Sequence, residues 1–481
     1  MNSPKTAILW IRRDLRLHDN QALLHSLNFQ QVVPCFIWED TPSTEWRMGA
    51  ASKWWLHHSL HAFQQSLKKL GSDLVLVKGT PEKKLVELAQ HYGASSILWN
   101  RSYNPQEAPT IQALMRAAGQ QGLEVIACQG NLLCEKSALL KDDGNPYKVY
   151  TAFWRKFIKV YTPTCQAKPT QLPALPQAPY TKTATLADLN LLPDIPWDAG
   201  FNEYWHPGEE HALTKMRTFL KQGVLRYKSD RDQPHLAGTS MLSPHLQFGE
   251  IHPQRILQHI VDTFGPLGQL TDPNIIQFTK EVLWREFSYH LLQHFPHTPN
   301  QPLVKAFQHF PYQKNKVWFK AWTKGQTGYP IVDAGMRQLW HTGWMHNRVR
   351  MITASFLIKH LGVHWLEGAK WFWDTLVDAD LASNTQGWQW TAGCGADAAP
   401  FFRIFNPITQ GEKFDPQGLY AARWCPELRH LPAKWIYKPW EAPSHELKKA
   451  GIHLGTDYPY PIVDHKESRE RALSQYEEIK K

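Results

Sequence analysis

The chain has 481 residues, which is too long for one small core and predicts two or three domains. Hydrophobic residues make up 42% and charged residues 20%, as in ordinary soluble globular proteins. There are 22 tryptophans, and 53 Lys and Arg outnumber 43 Asp and Glu, so the net charge is +10. This excess of positive charge suits either a polyanionic partner or a surface that only keeps the protein in solution.

The cysteines and the N-terminus exclude several classes of protein. None of the six cysteines forms a Cys-x-x-Cys pair, so neither a zinc ribbon nor a disulfide framework is indicated, and we expect no metal. The apolar run at 7–11 is too short for a signal peptide or a membrane span. We therefore expect a cytoplasmic protein without a membrane partner.

The first 130 residues alternate short apolar runs with amphipathic stretches. This alternation predicts a doubly wound parallel sheet of the Rossmann-like α/β class, with right-handed crossovers. No Gly-x-Gly-x-x-Gly follows the first run, so a standard dinucleotide site is not expected there. The predicted strands are 7–11, 32–38, 74–77, 96–99 and 124–128.

The remainder of the chain is predicted to be a connector followed by helices. A proline-rich segment at 163–196 indicates an irregular connector, which we assign to 131–204. From about 205 the apolar residues recur at helical spacing, and no strand alternation competes over long spans. We therefore predict an α/β domain at 1–130 and an all-α domain at 205–475.

Polar motifs in the helical part could form a binding site. In GTSMLSP the hydroxyls of Thr239, Ser240 and Ser243 precede a proline that starts a helix, which is the pattern of a phosphate cradle or of a simple capped loop. In EVLWREF, Glu281 and Trp284 share one helix face, which suits a flat ligand but is also common at the edge of a core.

Two further motifs combine charged and aromatic groups. GWMHNRVRM, at 343–351, brings arginines beside an asparagine, which could be a basic surface face or part of a fixed polar network. LVDADLASNTQGWQW, at 376–390, contains two carboxylates, an amide and two indoles within fifteen residues. Arginine facing such an acid pair would form charge-assisted hydrogen bonds.

Six motifs together resemble the photolyase/cryptochrome family of flavoproteins: RRDLRLHDN, GTSMLS, LWREF, TGYPIVDAGMRQL, GWMHNRVRM and DADLASNTQGWQW…DAAPFFRIFNP. They follow the family's order over nearly the whole chain. The resemblance implies that the helical domain binds FAD in a folded conformation. It assigns the cofactor contacts to Tyr227, Thr239, Ser240, Leu242, Ser243, Arg350, Asp378, Asp380 and Asn384.

Three features favour one branch of that family, the class I cyclobutane pyrimidine dimer photolyases. Asn384, at the flavin N5 position, is similar to photolyases, whereas plant cryptochromes carry Asp and animal ones Cys. Asn347 and Met351 stand where enzymes of the (6–4) photoproduct carry histidines. The long signalling tail of many cryptochromes does not follow the last motif.

The activity implied is light-driven repair of UV-damaged DNA, in which excited reduced FAD passes an electron to a flipped-out pyrimidine dimer. The alternatives are a cryptochrome-type blue-light receptor and a (6–4) photolyase. Outside the family, a DNA-binding protein with a structural flavin or an NADH-dependent flavin oxidoreductase would explain fewer of the motifs. We expect a monomer without an obligate protein partner.

The resemblance also assigns roles to residues outside the cofactor site. The lesion contacts would be Glu281, Trp284, Asn347, Met351 and Trp390, and the DNA-binding cations Arg231, Arg348, Arg403 and Lys413. The electron carriers that reduce the flavin would be Trp388, Trp365 and, where the family has a third tryptophan, Tyr312, with Trp318 as the substitute. Glu107 falls near a folate-contacting acid, so methenyltetrahydrofolate or a deazaflavin is a candidate antenna; a solvated glutamate at a helix start is the alternative.

Overall fold

The computed structural model describes residues 5–40, 44–177, 179–398 and 402–479. Its N-terminal part is built on a five-stranded parallel sheet of strand order β3-β2-β1-β4-β5. The strands are β1 (Thr6–Ile11), β2 (Gln31–Trp38), β3 (Val75–Lys78), β4 (Ser96–Asn100) and β5 (Glu124–Cys128). Each predicted strand is confirmed, with ends that differ by at most one residue.

Helices cover both faces of this sheet, as expected for a doubly wound fold. They are α1 (Gln21–Ser26), α2 (Ala50–Lys68), α3 (Pro81–Tyr92) and α4 (Ala108–Gln120). Every residue of β1 is buried, and its side chains alternate between two cores. Leu9 packs in the core that contains Trp54 of α2, whereas Ile8 packs with Leu85 of α3.

The predicted connector is irregular along most of its length, but it contains two helices that the sequence did not predict. Helix α5 (Tyr150–Val160) buries Tyr150, Phe153 and Phe157, which recur at helical spacing. A short helix, α6 (Phe201–Tyr204), closes the segment. The domain boundaries at 130 and 205 stay predictions.

Helices provide the regular elements among the described residues beyond α6, in agreement with the prediction. They are α7 (Glu209–Lys221), α8 (Tyr227–Asp230), α9 (Ser243–Gln247), α10 (Pro253–Phe264), α11 (Pro273–His294), α12 (Lys316–Thr323), α13 (Pro330–Thr342), α14 (Asn347–Ser355), α15 (Trp365–Thr375), α16 (Leu381–Ala392), α17 (Pro407–Phe414), α18 (Leu419–Trp424), α19 (Ala433–Ile436), α20 (Ser444–Ala450) and α21 (His465–Glu478). A π-helical turn, Phe356–His360, continues α14.

Two tryptophans of α2 join the sheet to the helical part. The Trp54 ring meets Phe201 edge to face at 5.2 Å, and Trp55 Nε1 donates to the Glu250 carboxylate at 3.1 Å. Both indoles are buried, so this junction is part of the hydrophobic core.

In the part of the chain that the structure describes, no helix is both long enough and apolar enough to cross a membrane.

Candidate active site

One cleft in the helical part, between α11, α14 and α16, contains most of the predicted site residues. Its volume is about 670 Å³. All five residues predicted to contact the lesion line it: Glu281, Trp284, Asn347, Met351 and Trp390. Three of the four predicted DNA-binding cations line it as well: Arg231, Arg348 and Arg403. The structure therefore brings these residues together, while their individual roles stay predictions.

A second cavity of about 160 Å³ adjoins this cleft, and Arg350 and Asp378 line both. Nη2 of Arg350 donates to the two carboxylate oxygens of Asp378 at 2.8 and 3.1 Å. Its Nε donates to the Met345 carbonyl at 2.7 Å. These bonds fix the guanidinium plane, and Arg350 forms the charge-assisted hydrogen bonds expected of an arginine that faces this acid pair.

Asp380 lies where the two cavities meet and begins α16 as its N-cap. One carboxylate oxygen accepts the Ser383 N–H at 2.7 Å, and the other accepts the hydroxyl of Tyr289. Burial, together with the charge of Asp380, raises the pKa of Tyr289, which therefore stays a hydrogen-bond donor. Asp380 is thus held in one orientation by two donors from different helices.

Two amides supply polar groups near these acids. Nδ2 of Asn384, in the wall of the smaller cavity, donates to the Ala369 carbonyl at 3.0 Å, which leaves Oδ1 for a ligand. Gln247 was not anticipated: its Nε2 donates to the Ala379 carbonyl at 2.6 Å. Among the described residues its buried Oε1 has no partner, although Gln247 lines the cleft. An acceptor in this state suits a ligand that brings an N–H or O–H.

The aromatic wall of the cleft includes a stack that the motifs did not predict. The ring of Tyr150, in α5, lies 3.7 Å from that of Trp284, with 9° between the planes. The Tyr150 hydroxyl donates to the Lys280 carbonyl at 2.6 Å, which fixes the phenol ring. One face of the Trp284 indole is therefore covered, and the ring is held against rotation.

Two of the arginines that line the cleft, Arg231 and Arg348, are paired with acids inside the protein. Nη2 and Nε of Arg348 contact Asp232 at 2.9 and 3.3 Å, and Nε of Arg231 lies 3.8 Å from the same carboxylate. Arg231 also donates to Glu281, whose carboxylate accepts the Gln277 amide at 2.8 Å. Asp232 therefore links two predicted DNA-binding arginines, and Glu281 is oriented by its two donors.

Lys413 lies beside the cleft instead of lining it. Its Nζ is 5.1 Å from the ring centre of Phe414, and the guanidinium carbon of Arg348 is 4.4 Å from the same ring. The aromatic side chain thus places both cations on one surface.

The predicted electron carriers belong to a buried aromatic cluster. Trp388 and Trp365 are 2% and 1% exposed, so solvent does not surround either ring. The His364 ring lies 5.6 Å from Trp365 and 4.4 Å from Tyr312, and so connects these two positions. Trp322, which the motifs did not single out, lies 6.3 Å from Trp388.

Comparison with known proteins decides the family. Residues 7–177 match the family model described as DNA photolyase, and residues 278–478 match the FAD binding domain of DNA photolyase. The deoxyribodipyrimidine photo-lyase of Agrobacterium fabrum is 49% identical over 100% of this chain and 99% of its own length. The chain belongs to the DNA photolyase family.

Two further relatives show how broad this family is. Cryptochrome-1 of Arabidopsis thaliana is 35% identical over 98% of this chain and 70% of its own length. The crystal structure of a bacterial class III photolyase from Agrobacterium tumefaciens has a TM-score of 0.94 and 47% identity, and covers 100% of this chain and 98% of that one. The predicted family, fold class and FAD are confirmed; the predicted class I differs from the class of this neighbour.

The residues of the site fit FAD, the cofactor of the family's helical domain. The lining of the two cavities includes the cation of Arg350, the acceptors of Asp380 and Gln247 and the amide of Asn384. An isoalloxazine ring carries both hydrogen-bond donors and acceptors, and these side chains can bind both kinds. The unpartnered Oε1 of Gln247 is the strongest sign, because a buried acceptor without a donor is costly unless a ligand supplies one.

The predicted phosphate contacts lie on helices α8 and α9 and in the loop between them. Ser243 begins α9, lines the cleft and accepts the Trp344 indole N–H at 3.4 Å. Thr239 and Ser240 are partly buried, whereas Leu242 is 2% exposed and packs in a core. Tyr227 is buried against Phe278 at 5.3 Å. The hydroxyls and the main chain of this loop are suited to phosphate oxygens, and the phosphate contact of Tyr227 stays a prediction.

Glu107 ends a 3₁₀ turn and is not the solvated residue of the alternative interpretation. Its carboxylate pairs with Arg12, whose pKa burial lowers to about 10. Glu107 lines a cavity of about 60 Å³ and also a larger one of about 340 Å³ at the carboxyl ends of β1 and β2.

We expect Asp232→Asn to strengthen binding to undamaged DNA and to steepen its salt dependence. The change frees Arg348 and Arg231 from a shared carboxylate, so phosphates no longer compete with it, and the slope of log K against log salt should grow by about one. Fluorescence anisotropy with an undamaged duplex at several NaCl concentrations measures both. Asp142→Asn adds the same charge at an exposed loop; an equal effect there would remove Asp232 from this role.

We expect Tyr312→Phe to slow photoreduction of the flavin several-fold without abolishing it. Burial raises the pKa of Tyr312 well above its usual value, so its oxidation must release a proton in an apolar setting. The predicted carriers Trp365 and Trp388 remain in the variant and can still donate electrons. Absorbance changes under blue light give the rate. If Tyr312→Phe is reduced at an undiminished rate and Trp322→Phe more slowly, the electrons pass through Trp322 instead of Tyr312. The variant Trp318→Phe tests in the same way whether Trp318 replaces Tyr312.

Proposed function

We propose that this protein repairs cyclobutane pyrimidine dimers in DNA under light, with bound FAD. When bound and reduced, FAD supplies the electron that opens the dimer after excitation by light. One observation carries the proposal: the cleft that contains the predicted lesion contacts shares Arg350, Asp378 and Asp380 with the flavin cavity.

The residues of the cleft would bind the dimer in three ways. Arg231, Arg348 and Arg403 would contact the phosphates around the lesion. The flipped pyrimidines would enter the cleft and lie against the two indoles, which is favoured because a damaged pair stacks poorly. Glu281, held by its two donors, would accept N–H groups of the bases, and Asn347 would bind their carbonyls. Exclusion of water from this cleft strengthens each of these bonds.

Among the described residues that line the cleft there is no histidine, the residue type that (6–4) photolyases carry at these positions. Met351 and Asn347 do not ionise. The neighbouring His346 is buried, and this burial lowers its pKa to about 4, so it is neutral at physiological pH. These residues support the cyclobutane dimer as the substrate. We propose class III in place of class I, because the 47% identical crystal structure is of a class III photolyase.

We further propose that the 340 Å³ cavity holds an antenna chromophore, either a folate or a deazaflavin. Trp10, Phe36 and Trp38 form aromatic walls for a flat ring, and Glu107 offers a carboxylate. The 60 Å³ cavity is too small for such a molecule. We also propose a monomer in the cytoplasm, supported by a cleft built from one chain and by six free cysteines.

The test is light-dependent repair by the purified holoprotein. A thymine-dimer oligonucleotide is incubated under reducing conditions in blue light and in darkness, with a (6–4) oligonucleotide alongside. We expect loss of the thymine dimer in light alone. No loss in a protein with a normal bound-flavin spectrum would support a cryptochrome, and loss of only the (6–4) lesion would overturn the substrate assignment.

A further inference from the structure

A lysine is buried behind the cleft in the π-helical turn Phe356–His360. Lys359 is 1% exposed, and burial lowers its pKa to about 7. Among the described residues no carboxylate lies within ion-pairing distance of it. A buried cation without a counter-ion is costly, so its contacts indicate why the chain retains it.

The contacts of Lys359 are with the segment that enters the wall of the cleft. Its Nζ donates to the main-chain carbonyl of Arg403 at 3.0 Å and lies 3.5 Å from the ring centre of Phe402. The side chain of Arg403 lines the cleft. Lys359 therefore holds the backbone of a residue that lines the cleft in which we propose that DNA binds.

The C-terminal helix supports the same segment from the other side. The Tyr476 ring of α21 stacks on Phe402 at 4.3 Å, with 8° between the planes. Arg471 of α21 donates to the His360 carbonyl, and the His360 and His465 rings share a hydrogen bond of 2.8 Å. Phe402 is thus placed between a cation and an aromatic ring on two elements that are themselves joined.

We propose that Lys359 is a positioning residue for DNA binding: its bonds to the Arg403 carbonyl and the Phe402 ring direct the Arg403 guanidinium toward the phosphates at the lesion. This inference rests on the proposed function, because it needs Arg403 to contact DNA. Lys359 is not among the described residues that line the cleft or the flavin cavity, so we expect it to act on DNA binding through Arg403.

The test compares the holoprotein with Lys359→Met, Arg403→Ala and the double variant. Anisotropy gives the Kd for dimer-containing DNA, and repair per absorbed photon reports the chemistry. We expect Lys359→Met to raise Kd by about 5- to 10-fold, as for a weakened phosphate contact, with the photon yield at saturating DNA unchanged. In the Arg403→Ala background the same change should have little further effect. Lys359→Arg should restore the affinity.

Controls separate this inference from the proposed function and from misfolding. Lys221→Met removes the same charge from an exposed position on α7 and should leave Kd unchanged. If Lys359→Met loses FAD or fails to fold, Phe402→Leu serves as the second variant, because it removes the contact between the Lys359 ammonium and the Phe402 ring. It should weaken DNA binding in the otherwise unchanged protein but not in the Arg403→Ala background. Arg403→Ala with unchanged Kd would contradict the DNA role of Arg403 itself. A different result would overturn the positioning role of Lys359 while leaving the DNA role of Arg403 intact. In that result Arg403→Ala weakens binding, but Lys359→Met and Phe402→Leu either leave Kd unchanged or raise it equally with and without Arg403.

Discussion

Asp378→Asn is expected to give a folded protein that purifies with little FAD. In the unchanged protein the Arg350 guanidinium donates to both carboxylate oxygens of Asp378, at 2.8 and 3.1 Å. Asn keeps the shape of the side chain but removes the negative charge that balances Arg350. The Asp378 carboxylate is 3% exposed, and removal of one partner from a buried pair costs about 3–5 kcal/mol. Because Arg350 is 24% exposed, we expect the lower end of that range. The ratio of flavin to protein absorbance and the thermal midpoint measure the two effects.

Two variants show whether the charge of this pair is responsible. Asp262→Asn changes an exposed carboxylate of α10 and should leave both the flavin ratio and the midpoint unchanged. Arg350→Lys keeps the charge but loses the planar fork, so it should retain part of the flavin. Full flavin occupancy in Asp378→Asn would mean that the ion pair is not needed to hold the cofactor.

The sequence alone predicts the parts of the fold that depend on local patterns. The five strands could be located because each is a short apolar run between helical segments, and the central strand is buried on both faces. Helix α5 was missed because it precedes the proline-rich segment 163–196 and was included in the irregular connector assigned to 131–204. Its apolar positions, Tyr150, Phe153 and Phe157, are the signal that could have shown it.

In the candidate site as well, the sequence predicts residues that are close together on one helix but not contacts between distant segments. Asn347, Arg350 and Met351 lie within one turn and a half of one helix, so their spacing alone suggests that they meet the same cavity. The bond from Tyr289 to Asp380 joins residues 91 positions apart, and no periodicity reports such a pairing. Gln247 and the Tyr150 stack are of the same kind, because their partners are determined only when helices from distant segments pack together.

Trp284→Ala is expected to weaken binding to dimer-containing DNA strongly while leaving undamaged DNA unaffected. A base stacked on an aromatic side chain contributes about 1–3 kcal/mol, which is about a 5- to 150-fold rise in Kd. The stack with Tyr150 at 3.7 Å holds the indole in place before DNA arrives, so little side-chain entropy is lost on binding. Anisotropy with matched damaged and undamaged duplexes measures the ratio of the two affinities.

The Tyr150 stack provides the control for this prediction. Tyr150→Leu leaves the indole in the cleft but removes the ring that fixes it, so its loss of lesion affinity should be smaller than that of Trp284→Ala. Trp284→Phe keeps a narrower aromatic face and should recover part of the affinity. Equal losses for damaged and undamaged DNA in Trp284→Ala would mean that the indole supports the fold of the cleft and does not bind the flipped bases. A loss confined to damaged DNA would place the dimer against Trp284, within the cleft that also contains Glu281 and Asn347.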